Sequence, residues 1–273
     1  MKKTLLLCCA ACILAACVNS IADEQTNETK EISFTVESRQ PMTRTALTEV
    51  CNTLHYYRVT GNQTARQLTQ NSEDNDFGTL TDELPYGTHS LYFIGHKGEM
   101  GQFDGGVASF NKVSDTFSHY MQLTVDKDTE PTQSIELLRR VAKFELVAKD
   151  ALPEELKSVE ITITGASTKL DVATGKGSQA VTQQKSITVP EYNIGKTGCT
   201  FAAYAFLLDD TATLTVNVTA KDATGNTIVS HTFNDVVMET DYITRYTGSL
   251  FGDGFTTSIT AKGEWSGTNS NEF

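Results

Sequence analysis

The chain has 273 residues, 39% of them hydrophobic, and carries 22 Lys and Arg against 34 Asp and Glu, a formal charge of -12. That acidic balance argues against a nucleic-acid partner, which needs clustered Lys and Arg to displace counterions. Six cysteines suggest a disulfide framework, but Cys8, Cys9, Cys12 and Cys17 sit at the extreme N-terminus, which leaves Cys51 and Cys199 for the body of the protein.

Lys2 and Lys3 precede an apolar run, Leu5 to Ala16, that is too short to span a bilayer. It ends in Leu14-Ala15-Ala16-Cys17, and small residues ahead of a cleavage point mark an export signal. A cysteine directly after Leu-Ala-Ala resembles the bacterial lipobox, in which Cys17 is acylated and becomes the new N-terminus; the alternative is an ordinary signal peptide with a chance cysteine. Each buried CH₂ of an acyl chain contributes about 0.8 kcal/mol, so a multiply acylated Cys17 holds a protein on a membrane without a transmembrane helix. Residues 1–16 therefore read as a lipoprotein signal peptide. The expected location is the outer membrane, lipid-anchored and cell-surface exposed. Removing 1–16 takes away Lys2 and Lys3 and no acid, so the charge moves from -12 to -14. Residues 17–30 read as the lipidated cysteine and a flexible tether, because Val18 to Lys30 has almost nothing to bury. Asp23-Glu24 loosely resembles the acidic surface-export signals of some lipoproteins, and a solvated linker explains it as well. In an exported protein Cys51 and Cys199 can form one disulfide; two unpaired cysteines acting as small hydrophobes fit equally.

Beyond the tether the hydrophobic pattern has period two. Ile32 to Val36, Leu54 to Val59, His89 to Ile94 and Phe117 to Val125 read as strands rich in Tyr, Phe, Val and Thr. Thr60-Gly61-Asn62, Leu84 to Gly87 and the Gly-rich Gly95 to Gly106 separate them as turns and loops. Glu136 to Ala148 is long enough for a helix, yet Ala142, Phe144, Leu146 and Ala148 fall on one side of a strand, opposite Lys143 and Glu145, so it reads as a strand. Pro153 to Lys157 suggests a short helical turn. Val159 to Ile163, Thr200 to Leu208, Leu214 to Ala220, Ile228 to Val237, Tyr242 to Leu250 and Phe255 to Gly263 are further strands. Asp222 to Asn226 reads as a hairpin loop in which Gly225 and Asn226 can take positive φ. Many short strands with turn chemistry between them point to an all-β protein of β-sandwiches. The polar, Pro-containing gap at 128–135 places the division between an N-terminal domain, 31–132, and a C-terminal domain, 133–273.

Catalytic and metal-binding patterns are missing from the sequence. His55, His89, His96, His119 and His231 form no HExxH or other close ligand pair, so no metal site is signalled. No GxSxG surrounds a serine, and neither Cys51 nor Cys199 has a neighbouring histidine. Thr174 to Ser178 lacks the GxxxxGK[ST] spacing of a phosphate loop, and it reads with Gly95 to Gly106 as surface loop. Glu73-Asp74-Asn75-Asp76 offers oxygen ligands to calcium but fits a solvated loop. Asn27, Asn62 and Asn217 match N-x-[ST], which has little weight in a bacterial protein, and Asp210-Thr211-Ala212 resembles a bacterial O-glycosylation site or a plain turn. We expect no catalytic residue and no cofactor.

Five stretches in order carry a resemblance. They are residues 43–57 (TRTALTEVCNTLHYY), 77–91 (FGTLTDELPYGTHSL), 138–146 (LRRVAKFEL) and 244–251 (TRYTGSLF), and a closing strand ending at Trp265. With the lipobox, they resemble the FimB/Mfa fimbrial anchor-subunit family of Gram-negative anaerobes. The resemblance implies two transthyretin-like β-sandwich domains in type V fimbriae, which assemble by β-strand exchange. Shaft subunits of such fibres lose their first strand to an arginine-specific protease; anchor subunits keep lipid and strand, cap the fibre at the outer membrane and limit its length. It thereby gives Ile32, Phe34 and Val36 the role of strand-exchange residues, and makes Arg39 and Arg44, in the following loop, possible processing sites. The implied partners are other fimbrial subunits, through β-strand addition, and outer-membrane lipid, through acylated Cys17. Two alternatives stay open: a processed shaft or tip subunit, and a surface glycan-binding lipoprotein using Tyr56, Tyr57, Phe103, Tyr192 and Trp265.

Overall fold

The computed structural model describes residues 28–38, 47–61 and 63–252, together with the backbone of Thr257–Ser258 and Gly267–Asn269. Cys17, Arg39, Arg44, Asn27, Asn62 and Trp265 lie outside the described residues. The fold is all-β. The first half carries β1 (Thr29–Ser38), β2 (Thr53–Thr60), β3 (Gln63–Asn71), β4 (Thr79–Pro85), β5 (Gly87–His96), β6 (Glu99–Asp104), β7 (Val107–Lys112), β8 (Thr116–Val125) and β9 (Thr132–Arg139). The second carries β10 (Ala142–Ala148), β11 (Ser158–Ala166), β12 (Lys169–Asp171), β13 (Lys176–Gly177), β14 (Val181–Thr188), β15 (Cys199–Ala205), β16 (Thr211–Lys221), β17 (Thr227–Glu239) and β18 (Tyr242–Gly248), followed by β19 (Thr257–Ser258) and β20 (Gly267–Asn269). Among the described residues the only helical pieces are α1 (Leu47–Val50) and a 3₁₀ turn, Glu191–Asn193.

The period-two segments up to Leu250 form the strands expected of them, while Phe255 to Gly263, apart from the backbone of Thr257–Ser258, lies outside the described residues. Glu136 to Ala148 is extended, as its alternation predicts, but breaks at Arg140 and Val141 into the end of β9 and all of β10. Pro153 to Lys157 is a turn and not a helix, closed by the Leu156 N–H donating to the Pro153 carbonyl at 3.1 Å. In the Asp222–Asn226 loop of the β16–β17 hairpin only Gly225 has positive φ, 86°; Asn226 is instead held by its N–H donating to the Asp222 carboxylate. β9 pairs in parallel with β1 from Ser33↔Thr132 to Ser38↔Leu137, so the segment 133–139, assigned from sequence to the second half, is hydrogen-bonded to the first.

The two halves repeat one topology. In the first, β1 lies between antiparallel β4 and parallel β9, facing a layer ordered β3-β2-β5-β8. In the second, β10 lies between antiparallel β15 and parallel β18, facing a layer ordered β14-β11-β16-β17. Each pair of layers encloses its own core. One gathers Phe34, Tyr56, Phe93 and Phe117, the other Phe144, Leu146, Ile161 and Phe233. Burying each such side chain contributes about 1.5–3 kcal/mol.

Each half adds one hairpin to this plan, and the two hairpins meet. β6 and β7 from the first half and β12 and β13 from the second make a sheet ordered β13-β12-β7-β6, joined by Lys169↔Ser109, Leu170↔Ala108 and Asp171↔Val107. Its inner side closes a third core, in which Tyr57, Val59, Tyr92 and Ile94 pack with Phe110, Leu170 and Phe206. The two segments read from sequence as Gly-rich surface loops are thus these hairpins: Gly95 to Gly106 holds β6, and Thr174 to Ser178 holds β13. The buried guanidinium of Arg139 adds a polar clamp between halves. It donates to Asp115 at 2.7 Å and to Asp241 at 2.8 Å, and it lies 4.8 Å from the Phe117 ring centroid.

At the edge of the third core His55 and His96 come together. They are diagonal neighbours on β2 and β5, where Thr53 pairs with His96 and His55 with Ile94. Their Nε2 atoms are 3.1 Å apart and the rings stack at 5.1 Å. Burial pulls both imidazoles down to about 4, with the neighbouring ring adding to the effect on His55. The sequence reading found no close histidine pair, because the two are brought together only by strand register.

Two outcomes follow for stability. Arg139→Ala strands Asp115 and Asp241 and should destabilise the protein by about 3–5 kcal/mol, read by urea unfolding. The histidines of the unfolded chain take up protons near pH 6.5 while the folded pair stays neutral to about 4. Stability present above pH 6.5 should therefore decline as pH falls through that window, and His96→Gln should flatten the slope measured by urea titration at successive pH values.

Candidate functional site: the first strand and the groove it fills

β1 alternates Ile32, Phe34 and Val36 with Glu31, Ser33, Thr35 and Glu37, and a strand of period two turns one whole set inward. Ile32 and Phe34 are fully buried and Val36 nearly so. The three sequence-predicted residues thus share one face and one core. The backbone is paired along both edges, antiparallel to β4 from Thr29↔Pro85 to Thr35↔Thr79 and parallel to β9. Further main-chain bonds extend the pairing: Ser33 N–H to the Pro131 carbonyl, Val36 N–H to that of Gly78, and Tyr86 N–H to that of Glu28, all between 2.7 and 2.9 Å.

The groove that β1 occupies is walled by Leu80 and Leu84 of β4 and Ile135 and Leu137 of β9, with Tyr56 and Phe93 from the facing layer. Phe34 lies 5.6 Å from the Tyr56 ring and 5.4 Å from Phe93, and those two are 5.2 Å apart. Such tilted and edge-on triples add to simple burial. Gly78 closes one end with φ 91°, where a Cβ would come within 3.2 Å of Leu47 Cδ2 and 3.3 Å of the Val36 carbonyl. Buried Gln70 fixes that corner by donating to the Asp76 and Thr79 carbonyls and accepting from the Gly78 N–H.

One charged group intrudes on the groove. Asp82, across from Ile32 on β4, faces inward and is only 5% exposed. It accepts from the Tyr56 hydroxyl at 2.9 Å and forms ion pairs with Arg58 at 3.0 Å and Arg66 at 3.8 Å. Burial, and then the adjacent carboxylate, push the Tyr56 phenol above its ordinary range. The pattern Leu80-x-Asp82-x-Leu84 signals this residue, a charge at an inward position that needs buried partners. Sequence reasoning passed over it.

The other candidates are dispersed. The bridge left open by the sequence is not formed: Cys51 and Cys199 are both free and belong to different cores. Burial pushes the Cys51 thiol up to about 12. Of the aromatic residues offered for sugar stacking, Tyr56 and Tyr57 are buried, Phe103 is stacked on Tyr57 at 4.0 Å, and Tyr192 is 71% exposed. Glu73 to Asp76 form a tight turn held by the Asn71 N–H donating to Asp74 at 2.7 Å. Thr211 is exposed at the start of β16, and Asn217 bonds across the hairpin to Thr232. Among the described residues no three His, Cys, Asp or Glu gather to hold a metal, and no helix is long and apolar enough to cross a membrane. The chemistry available at β1 is main-chain pairing with apolar insertion.

Several solved structures resemble this chain. A Bacteroides ovatus protein described as a candidate adhesin is 9% identical over 88% of this chain and 95% of its own, with a TM-score of 0.52. A Bacteroides thetaiotaomicron protein described as a candidate polysaccharide-binding protein is 10% identical over 85% and 96%, also at 0.52. The fimbrial anchor protein Mfa2 of Porphyromonas gingivalis is 12% identical over 90% and 100% at 0.48, too low for an argument. The first two share the fold with this chain. A search of curated proteins returns no match. A family model matches residues 75–272, most of the chain, and the protein therefore belongs to the family of unknown function DUF6562.

Proposed function

We propose that the protein is a cell-surface structural subunit of a type V fimbria, held on the outer membrane by an acylated Cys17. In this reading it caps the fibre, limits its length and joins other subunits by β-strand addition, without catalysis. The observation that carries the reading is the position of β1. It is the middle strand of its layer, paired on both edges, and it begins twelve positions after Cys17. A tether of that length reaches about 40 Å when extended. Its topological equivalent, β10, is tied into the chain at both ends, so of the two only β1 can leave its groove by a single cut. Removal would expose two unpaired backbone edges and the pockets of Ile32, Phe34 and Val36, which is what a partner's strand needs. The resemblance of five ordered segments to fimbrial anchor subunits supports the same role, and the adhesin description of a protein with this fold is consistent with it. We draw the division between the two transthyretin-like domains after β9, because β9 completes the first one.

Arg39 and Arg44 directly follow β1 and favour a second reading, a shaft or tip subunit that begins as a lipoprotein and is then cut. A glycan-binding role would draw on exposed Tyr192 and its Lys196 neighbour, 5.2 Å from the ring. Mass spectrometry of the native N-terminal peptide separates anchor from shaft. An acylated Cys17 with β1 retained is the expected result, whereas a start at Gln40 or Thr45 would remove the anchor reading. Strand addition has its own test. A chain beginning at Thr45 should bind a peptide of residues 29–38, and Phe34→Asp in that peptide should weaken binding by more than about a hundredfold, since a charge replaces a buried ring. Equal binding of both peptides would exclude the groove as the docking site.

A further inference from the structure

Where β7 ends, the first half meets β14 and β15 of the second across a cleft of about 520 Å³. Its volume lies in the range of small-molecule sites, but its lining is more polar than such sites usually are. Asn111 and Lys112 come from one half; Gln183, Gln184, Lys185 and Tyr204 come from the other. β14 is an edge strand whose alternate side chains, Gln183 and Lys185 among them, are half-buried toward Tyr204.

Three lysines converge here in a chain of formal charge -12. Lys143 and Lys185 each place Nζ 5.6 Å from the Tyr204 ring centroid. Lys143 is neutralised by Glu145 at 2.5 Å, and Glu145 is also bound by Arg245. Among the described residues Lys112 and Lys185 have no carboxylate partner. Burial, then the positive charges of Lys112 and Lys143, hold the Lys185 amine below the usual lysine range. The fold thus maintains a repulsion that a bound anion would relieve. Gln183 supplies a separate, geometric observation. Its Nε2 donates to the Tyr204 carbonyl at 2.5 Å, which fixes the amide, and its buried Oε1 then has no donor. A buried acceptor without a partner is costly and rare.

We propose that this cleft binds an acidic oligosaccharide, with Lys112 and Lys185 on a carboxylate or sulfate group and Gln183, Gln184 and Asn111 on the sugar hydroxyls. Ammonium groups flanked by neutral amides suit a ligand with one dense charge and many hydroxyls. Tyr204, already flanked by two ammonium groups, orders the lysines and is not itself the sugar platform. The proposal does not depend on strand exchange, since β1 lies in a different layer.

Titration calorimetry of the full mature chain at low salt tests it, using a heparin tetrasaccharide, a tetragalacturonate, neutral maltotetraose and inorganic sulfate. Both acidic sugars should bind, maltotetraose should not, and sulfate alone should bind at least about tenfold more weakly because it lacks the hydroxyl contacts. Lys185→Gln and Lys112→Gln should each weaken the acidic sugars by about tenfold, while Lys127→Gln, at a remote exposed site, leaves them unchanged. Lys112 is exposed at a strand end, so its variant reports on the cleft even if Lys185→Gln fails to fold. Wild-type affinity in Lys112→Gln, equal binding of maltotetraose, or sulfate binding as tightly as the acidic sugars would each overturn the proposal.

Discussion

The pairing of β1 along both its edges is the constraint on which the first half depends. A central strand satisfies its own backbone groups and those of two neighbours at once, so leaving it out strands donors and acceptors on β4 and β9 together. The side chains reinforce this. Phe34 sits between Tyr56 and Phe93, and the Asp82 carboxylate across from Ile32 is neutralised by Arg58 and Arg66 beneath the same strand. Main-chain bonds carry no sequence information, so the selectivity of this position lies in pockets that accept only every second residue.

The duplicated topology divides apolar burial between two separate cores. Each half closes its own core, and the halves communicate through the β7–β12 pairing, the third core and the Arg139 clamp. The hairpins that bridge the halves are inserted at different points of the shared plan: β6–β7 between β5 and β8, and β12–β13 between β11 and β14. Two insertions that complete one sheet make the second half a brace for the outer face of β2 and β5. They also create the lysine-lined cleft, which neither half could form alone.

What was legible in the sequence follows from where each strand finds its partners. Ile32 to Val36 and Leu214 to Ala220 alternate cleanly because one face of each meets the core of its own half, whereas Leu54 to Val59 is apolar on both faces because Leu54 and Tyr56 meet the first core and Tyr57 and Val59 the third. β3, written QTARQLTQN, is an edge strand exposed along most of its length, so it carries almost no hydrophobic signal. β6 and β13 read as surface loops, and β7 and β12 are not picked out at all, because the four strands are short and the two hairpins they form pair across the two halves, a relation that local periodicity does not encode. The inward alternation of β1 identified Ile32, Phe34 and Val36 correctly as one buried face, whereas Asp82, the His55–His96 pair and the convergence of Lys112, Lys143 and Lys185 depend on register and long-range packing. Cys51 and Cys199 show the same limit from the other side: an even count allowed a bridge that two separate cores forbid.

Hydrogen exchange read by mass spectrometry, comparing the full mature chain with one beginning at Thr45, tests the central claim most directly. If β1 alone closes the first sandwich, the shortened chain will lose protection in Thr79–Pro85 and Thr132–Arg139 while Ala142–Ala148 and Ser158–Ala166 keep theirs, and a peptide of residues 29–38 will restore the loss. Unchanged protection of β4 and β9, or collapse of protection throughout both halves, would contradict it.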